Sequence, residues 1–169
     1  MRFVDFLKAT VMLSAAGATA LALLTVVSGT NDDDDKVVLY MAGWWVAATL
    51  IGSWIGRRKG PSPQIADLLA NSSTATMMPE ISPGTVLLNR LWPLLVAVLI
   101  SAVLSFLAPQ IPGIATGFAI IWALAWRHQD KAVTAIEERD GAVFFVQKTA
   151  FYQPMKLERM PGFRREVPT

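Results

Sequence analysis

The chain has no cysteine, which excludes disulfides, thiolate nucleophiles and cysteine-bound metals and leaves the redox compartment unmarked. It has one histidine, His128, so a histidine-based metal or haem site has too few ligands. Charge is also scarce: 17% of residues are Asp, Glu, Lys or Arg, where a soluble domain carries about 25%. The scarcity is local. Ala9–Ser28, Val37–Gly56, Leu91–Ala108 and Ile111–Trp126 contain no Asp, Glu, His, Lys or Arg. Each run approaches the ~20 apolar residues that cross about 30 Å of hydrocarbon. With ionisable groups missing from the runs, a proton-coupled carrier lacks its usual relay. No phosphate-binding loop, dinucleotide glycine pattern, zinc-protease motif or nucleophile elbow occurs.

What is present is a hydrophobic fraction of 53% and a mean hydropathy of +0.43, concentrated in those runs. The expected fold is an all-α membrane protein with four transmembrane helices, spans about 9–28, 37–56, 87–108 and 111–127, arranged as two helical hairpins. A small cytoplasmic β-hairpin follows near the C-terminus. The expected division is a bundle over 1–140, including a cytoplasmic loop 57–86, then a hairpin and basic tail over 141–169.

Charge sets the orientation. With both termini and the second connection in the cytoplasm, every Lys and Arg except Lys36 lies on that side. Trp54, Trp92 and Trp126 then fall at cytoplasmic helix ends as an aromatic belt. The pI of about 9.2 is thereby read as positive-inside asymmetry and attraction to anionic lipid, not as nucleic-acid binding. The expected location is the plasma (inner) membrane, multi-pass. The first run is read as a retained span, although Ala16-Gly-Ala18 and Val26-Val-Ser28 have the small residues of signal-peptide cleavage sites. The Leu91–Trp126 region has a re-entrant alternative, because its connection is uncharged and its last run is short. Crossing is favoured, since turn backbone exposed to lipid is costly, and the last helix gains length by running on through Arg127.

The connections carry further signals. Asp32–Lys36 spells the enteropeptidase recognition sequence and reads equally as an ordinary acidic outer turn capping the second helix. Ser62-Pro63 predicts a helix start, with Ile65, Leu68 and Leu69 facing the bilayer. Pro83-Gly84 reads as a turn and Thr85 as the cap of a third long helix, which Pro93 bends. The fourth helix is expected to continue into the cytoplasm, with Val133 and Ile136 on one face and a solvated face of Glu137, Glu138, Arg139 and Asp140, and to stop at Asp140-Gly141.

Candidate sites follow. Ser14, Ala18, Ala22, Gly52, Gly56, Gly113 and Gly117 form small faces that let helix backbones approach closely in lipid. Arg57, Arg58, Lys59, Arg90, Arg127 and Lys131 form a basic rim suited to anionic lipid phosphates. Met77, Met78, Phe144, Phe145, Phe151 and Tyr152 are apolar residues in polar surroundings, because a lone hairpin is marginal in water and needs a covering surface. Trp44 and Trp45 project about 100° apart, so one is expected to face lipid and one the bundle. No catalytic residue, cofactor or metal site is expected. The leading reading is a non-enzymatic accessory, assembly or scaffold subunit of a larger membrane complex, in contact with membrane lipids and another membrane protein or further copies of itself. The alternative is a small oligomeric channel or lipid-handling transporter, with Ser14, Thr19, Thr49, Ser53, Ser101, Ser105 and Thr116 as polar lining. A third reading, an interfacial enzyme, would use Arg90, Arg127, His128 and Asp130.

Overall fold

The computed structural model describes residues 1–31, 35–58, 60–74, 82–108, 110–147, 149 and 153–161. In chain order the elements are α1 (Phe3–Asn31), α2 (Asp35–Ile55), α3 (Pro63–Ala70), β1 (Ser73–Thr74), α4 (Pro83–Leu104), α5 (Gln110–Trp126), α6 (Gln129–Asp140), β2 (Ala142–Val146) and β3 (Leu157–Pro161). The protein is thus mostly helical with a small sheet. Among the described residues, three helices are long and apolar enough to cross a membrane: Phe3–Thr30, Lys36–Ile55 and Pro83–Leu104. The 17 residues of α5 extend about 25 Å at ~1.5 Å per residue.

Helix boundaries differ from the sequence reading where capping chemistry decides them. α4 begins at Pro83, not after it. A first-turn proline gives up only an N–H that the helix leaves unpaired anyway, and the Thr85 N–H donates to the Ser82 carbonyl at 3.2 Å. Pro83-Gly84 is therefore part of the helix and not a turn before it. α5 does not run on through Arg127. His128, at φ −114° and ψ 0°, leaves helical geometry, and α6 starts afresh at Gln129. The expected stop does occur: Gly141 adopts the left-handed conformation, φ 59°, and its N–H donates to the Glu137 carbonyl.

The chain separates into two compact units, each built from non-contiguous segments. The first comprises 1–8, 58–90 and 128–169, and the second 9–57 and 91–127. The division expected at 140/141 falls inside the first unit.

In the first unit the strand order is β1-β3-β2. β2 and β3 pair antiparallel with Phe144 opposite Arg159, and β1 runs parallel to β3 with Ser73 opposite Glu158. The N-terminus extends this pairing, since Arg2 bridges to Phe145 and the Val146 N–H donates to the Met1 carbonyl at 3.1 Å. The expected lone hairpin is thus covered on both sides by its own chain. Inward residues of β2 alternate as sheet geometry requires: Ala142, Phe144 and Val146 are buried. Phe3, Phe6, Leu7, Ile65, Leu69 and Val133 are buried in the same unit. Ile65 and Leu69 therefore do not face a bilayer; they face protein. Residues 1–8, outside the expected span 9–28, contribute Phe3, Val4, Phe6 and Leu7 to this core.

In the second unit, α2 and α5 make the most extensive helix pair. α1 meets α4 at Gly17, where a Cβ would sit 3.1 Å from Val98 Cγ2. Trp44 and Trp45 do not divide between lipid and bundle. Both indole N–H groups donate to α5 carbonyls, Trp44 to Ile114 at 3.2 Å and Trp45 to Gly113 at 2.8 Å. The rings are long enough to reach one neighbour from both sides of its axis, so the 100° offset at Cα does not separate them.

Candidate functional surfaces

The first unit is organised around a buried carboxylate. Glu137 is 5% exposed. Its Oε2 accepts from the Arg2 guanidinium at 2.7 Å, and its Oε1 accepts from the Phe144 N–H at 3.0 Å. The Gly141 reversal brings β2 back beside α6, and the N-terminal backbone then lies along β2. Of the expected solvated face, Glu138, Arg139 and Asp140 are exposed and Glu137 is not. It follows Gln129 and Val133 at four-residue spacing, on the buried side of α6. That spacing was the signal available in the sequence: an acid on the stripe of Val133 needs a partner. Arg139 and Asp140 pair at 2.8 Å on the surface. Hydrogen bonding to the guanidinium holds the Asp140 carboxyl below its ordinary 3.8, so this small contribution is present above that pH and lost on acidification.

Two further polar contacts position loops. Gln129, buried, accepts the Ser62 N–H at 2.8 Å, which ties the start of α6 to the start of α3. Ser62 itself caps α3 by accepting from the Ile65 N–H at 3.4 Å. Arg90 donates to the carbonyls of Gln153, at 2.6 Å, and Pro154, at 3.4 Å, and to the Thr149 hydroxyl. Its planar fork holds the connection between β2 and β3. Arg90 therefore has protein acceptors where a lipid phosphate was expected.

Beside this connection lies an open groove of about 830 Å³. One wall is the face of α3 carrying Gln64, Asp67, Leu68 and Asn71, at i, i+3, i+4 and i+7. The other is Gln147 and Pro154–Leu157, with Ser73 at one end. Asp67 and Lys156 balance in charge, and Leu68, Pro154 and Met155 supply apolar surface.

The remaining expected residues are distributed as follows. Phe144 is 2% exposed and unavailable to a partner, whereas Phe145 is half-buried. Met77, Met78, Phe151, Tyr152 and Lys59 lie outside the described residues, as does most of the Asp32–Lys36 run. Arg57 and Arg127 belong to the second unit; Arg58, Arg90 and Lys131 belong to the first. Arg57, Arg58 and Lys131 are exposed. Among the described residues no three His, Asp or Glu side chains gather within reach of one metal ion.

In the second unit all four glycines of the expected small faces lie between α2 and α5. A Cβ on Gly52 would stand 2.9 Å from Leu124 Cβ and 3.0 Å from Ile121 Cα. One on Gly56 would overlap the Leu124 carbonyl oxygen, one on Gly113 the Met41 side chain, and one on Gly117 the Trp44 indole. Ser14 is buried, with its hydroxyl donating to the Thr10 carbonyl at 2.8 Å; Ala18 is buried and Ala22 half-buried. Beside them is a slot of about 470 Å³, walled by Ala15, Ala18, Thr19 and Ala22 of α1, Trp45 and Thr49 of α2, and Thr116, Ile120, Ala123 and Leu124 of α5. Three of the expected polar lining residues, Thr19, Thr49 and Thr116, do converge there. Each hydroxyl donates to the carbonyl four residues earlier in its own helix, at 3.0, 2.8 and 2.8 Å.

No protein-family model, curated protein or solved structure matches this chain.

Proposed function

We propose that the protein is a four-span integral membrane protein of the plasma (inner) membrane with both termini cytoplasmic, acting as a non-enzymatic accessory, assembly or scaffold subunit of a larger membrane complex. The observation that carries this reading is the first unit, a folded body drawn from three segments that alternate along the chain with the apolar helices. Residues flanking α1–α2 on both sides belong to it, as do residues flanking the apolar part of α4 through α5. That connectivity supports two hairpins, each leaving and returning to one side, and so supports a crossing by the short α5. The positive-inside asymmetry supports the cytoplasm for that side. The unit engages its buried carboxylate, Glu137, with Arg2 and the Phe144 N–H and carries a mixed polar and apolar groove, which suits a binding surface better than a reaction centre.

Because the chain has no cysteine, orientation is testable with single introduced thiols. Lys36→Cys is expected to react with a membrane-impermeant maleimide in intact cells, and Lys131→Cys only after permeabilisation. The reverse pattern would overturn the orientation. For the subunit reading, native mass spectrometry after gentle extraction is expected to find a stoichiometric second protein. That association should be lost in Leu68→Asp or Met155→Asp, both of which alter groove walls. A monomer that retains only lipid would overturn it.

A second reading, a lipid-handling transporter, is favoured by the slot in the second unit. Its hydroxyls are already engaged within their own helices, which suits an apolar chain more than a hydrated ion. Lipid transfer between vesicles by reconstituted protein would support that reading.

A further inference from the structure

We propose that the turn joining α4 to α5 is a lipid-inserted tip: Phe106 and Leu107 sit among acyl chains of the far leaflet, which thins to meet the hairpin, and the turn does not stand in water. This rests on the reading of the chain as membrane-spanning and adds to it an interaction surface whose partner is hydrocarbon. Four observations converge on it. The first is length. Beyond Arg90, the last charged residue before the turn, α4 over 91–104 extends about 21 Å, and the 17 residues of α5 about 25 Å, at ~1.5 Å per residue. Both fall short of the ~30 Å of hydrocarbon. A bilayer meets a short span by thinning around it. The other hairpin is different. Its helices α1 and α2, with 29 and 21 residues, extend about 43 and 31 Å, and their connection carries Asp32–Lys36. The two connections thus differ in the same sense in reach and in charge. The second observation is the backbone. An unbonded N–H is costly in lipid. The N–H groups of Ser105, Phe106, Leu107, Ala108 and Ile111 all donate to carbonyls of the same hairpin, at 3.0–3.4 Å. Pro109 and Pro112 have no N–H to satisfy, and the Ser105 hydroxyl donates to the Ala102 carbonyl at 2.7 Å. A turn that stands in water has no need of this closure. The third is exposure. Phe106 at 89% and Leu107 at 80% are the most exposed large apolar side chains among the described residues, and Gln110 is the one polar side chain in 106–113. The fourth is continuity. Leu99, Val103, Phe106 and Leu107 follow at i, i+4, i+7 and i+8, all exposed, so the apolar face of α4 runs onto the turn without a polar break. The solvent that meets α4 along that face continues at its end.

The test uses the full chain with single introduced thiols, carrying a nitroxide and reconstituted in phosphatidylcholine vesicles. Collision of the nitroxide with oxygen, which concentrates in hydrocarbon, is compared with collision with a water-soluble nickel chelate. Leu99→Cys, on the exposed face of α4, is the lipid reference, and Lys36→Cys is the water reference. Phe106→Cys and Leu107→Cys are expected to favour oxygen as Leu99→Cys does. Access to nickel at both positions equal to that of Lys36→Cys, with Leu99→Cys still in lipid, would overturn the proposal and leave the membrane reading standing. Loss of collision with both reagents at 106 and 107 would overturn it in favour of a protein cover, a second copy or another chain. Nickel reaching Leu99→Cys as freely as Lys36→Cys would remove the membrane reading and this inference with it.

Discussion

Replacing Glu137 with leucine is expected to destabilise the first unit by about 2–4 kcal/mol and to release the N-terminus from β2. Removing one member of a buried ion pair ordinarily costs ~3–5 kcal/mol, because the other is left uncompensated. Here Arg2 is 48% exposed at its side chain and can turn to water, which lowers that cost. The Phe144 N–H cannot do the same; a buried donor without an acceptor costs about 1–3 kcal/mol. Glu137→Gln keeps an acceptor for the Phe144 N–H and loses the charge and the acceptor for Arg2, so its effect should be smaller. Hydrogen exchange of the 142–146 amides is the direct measurement, with the second-unit helices as internal reference. Deleting residues 2–8 should have a larger effect, since Phe3, Val4, Phe6 and Leu7 are all buried and each contributes about 1.5–3 kcal/mol. Unchanged protection of β2 in Glu137→Leu would show that the carboxylate does not organise the unit.

The second large effect is expected at the glycines between α2 and α5. Gly56→Leu places a side chain where the Leu124 carbonyl oxygen lies. A backbone atom cannot rotate away, so the helices must separate; overpacking of this kind costs about 1–3 kcal/mol, occasionally more. Gly117→Leu should evict the Trp44 indole and break its bond to Ile114, shifting tryptophan emission as well as stability. Gly113→Ala meets the flexible Met41 side chain and should be milder. Gly43 supplies the control. Nothing lies within 4 Å of a Cβ added there, so Gly43→Ala should be neutral or stabilising by up to about 1 kcal/mol through helix propensity. Unfolding in detergent, followed by tryptophan fluorescence, would rank the four. Gly43→Ala costing as much as Gly56→Leu would show that glycine matters here for helix flexibility and not for close approach.

Several local features were readable in the sequence because each is decided within a few residues. Uncharged runs gave the long helices. Ser62-Pro63 marked the start of α3, and Asp140-Gly141 marked the end of α6, since a glycine takes the left-handed conformation without steric cost. The strands expected within 141–169 occur as β2 and β3. Boundaries failed where a local rule had two readings. Pro83 closes a turn or opens a helix equally well, and an apolar helix entering a polar one at Arg127 leaves no composition mark of the break at His128.

By itself the sequence determined which segments are apolar enough for a membrane, how the cations are distributed along the chain, and that this chain has no cysteine chemistry. Those are properties of composition along the chain and need no partner residue. Only the tertiary structure decided that Phe3, Val4, Phe6 and Leu7 are core, that Glu137 is buried on Arg2 135 positions away, that Arg90 holds the β2–β3 connection, and that Trp44 and Trp45 bond to one helix. It also decided which small residues meet: the four glycines line a contact between α2 and α5, while the alanines of α1 border the slot. The physical reason is common to all of these. A buried charge, a close helix approach and a recessed groove each depend on pairs of residues far apart in sequence, and the spacing along one segment does not specify which distant segment it meets.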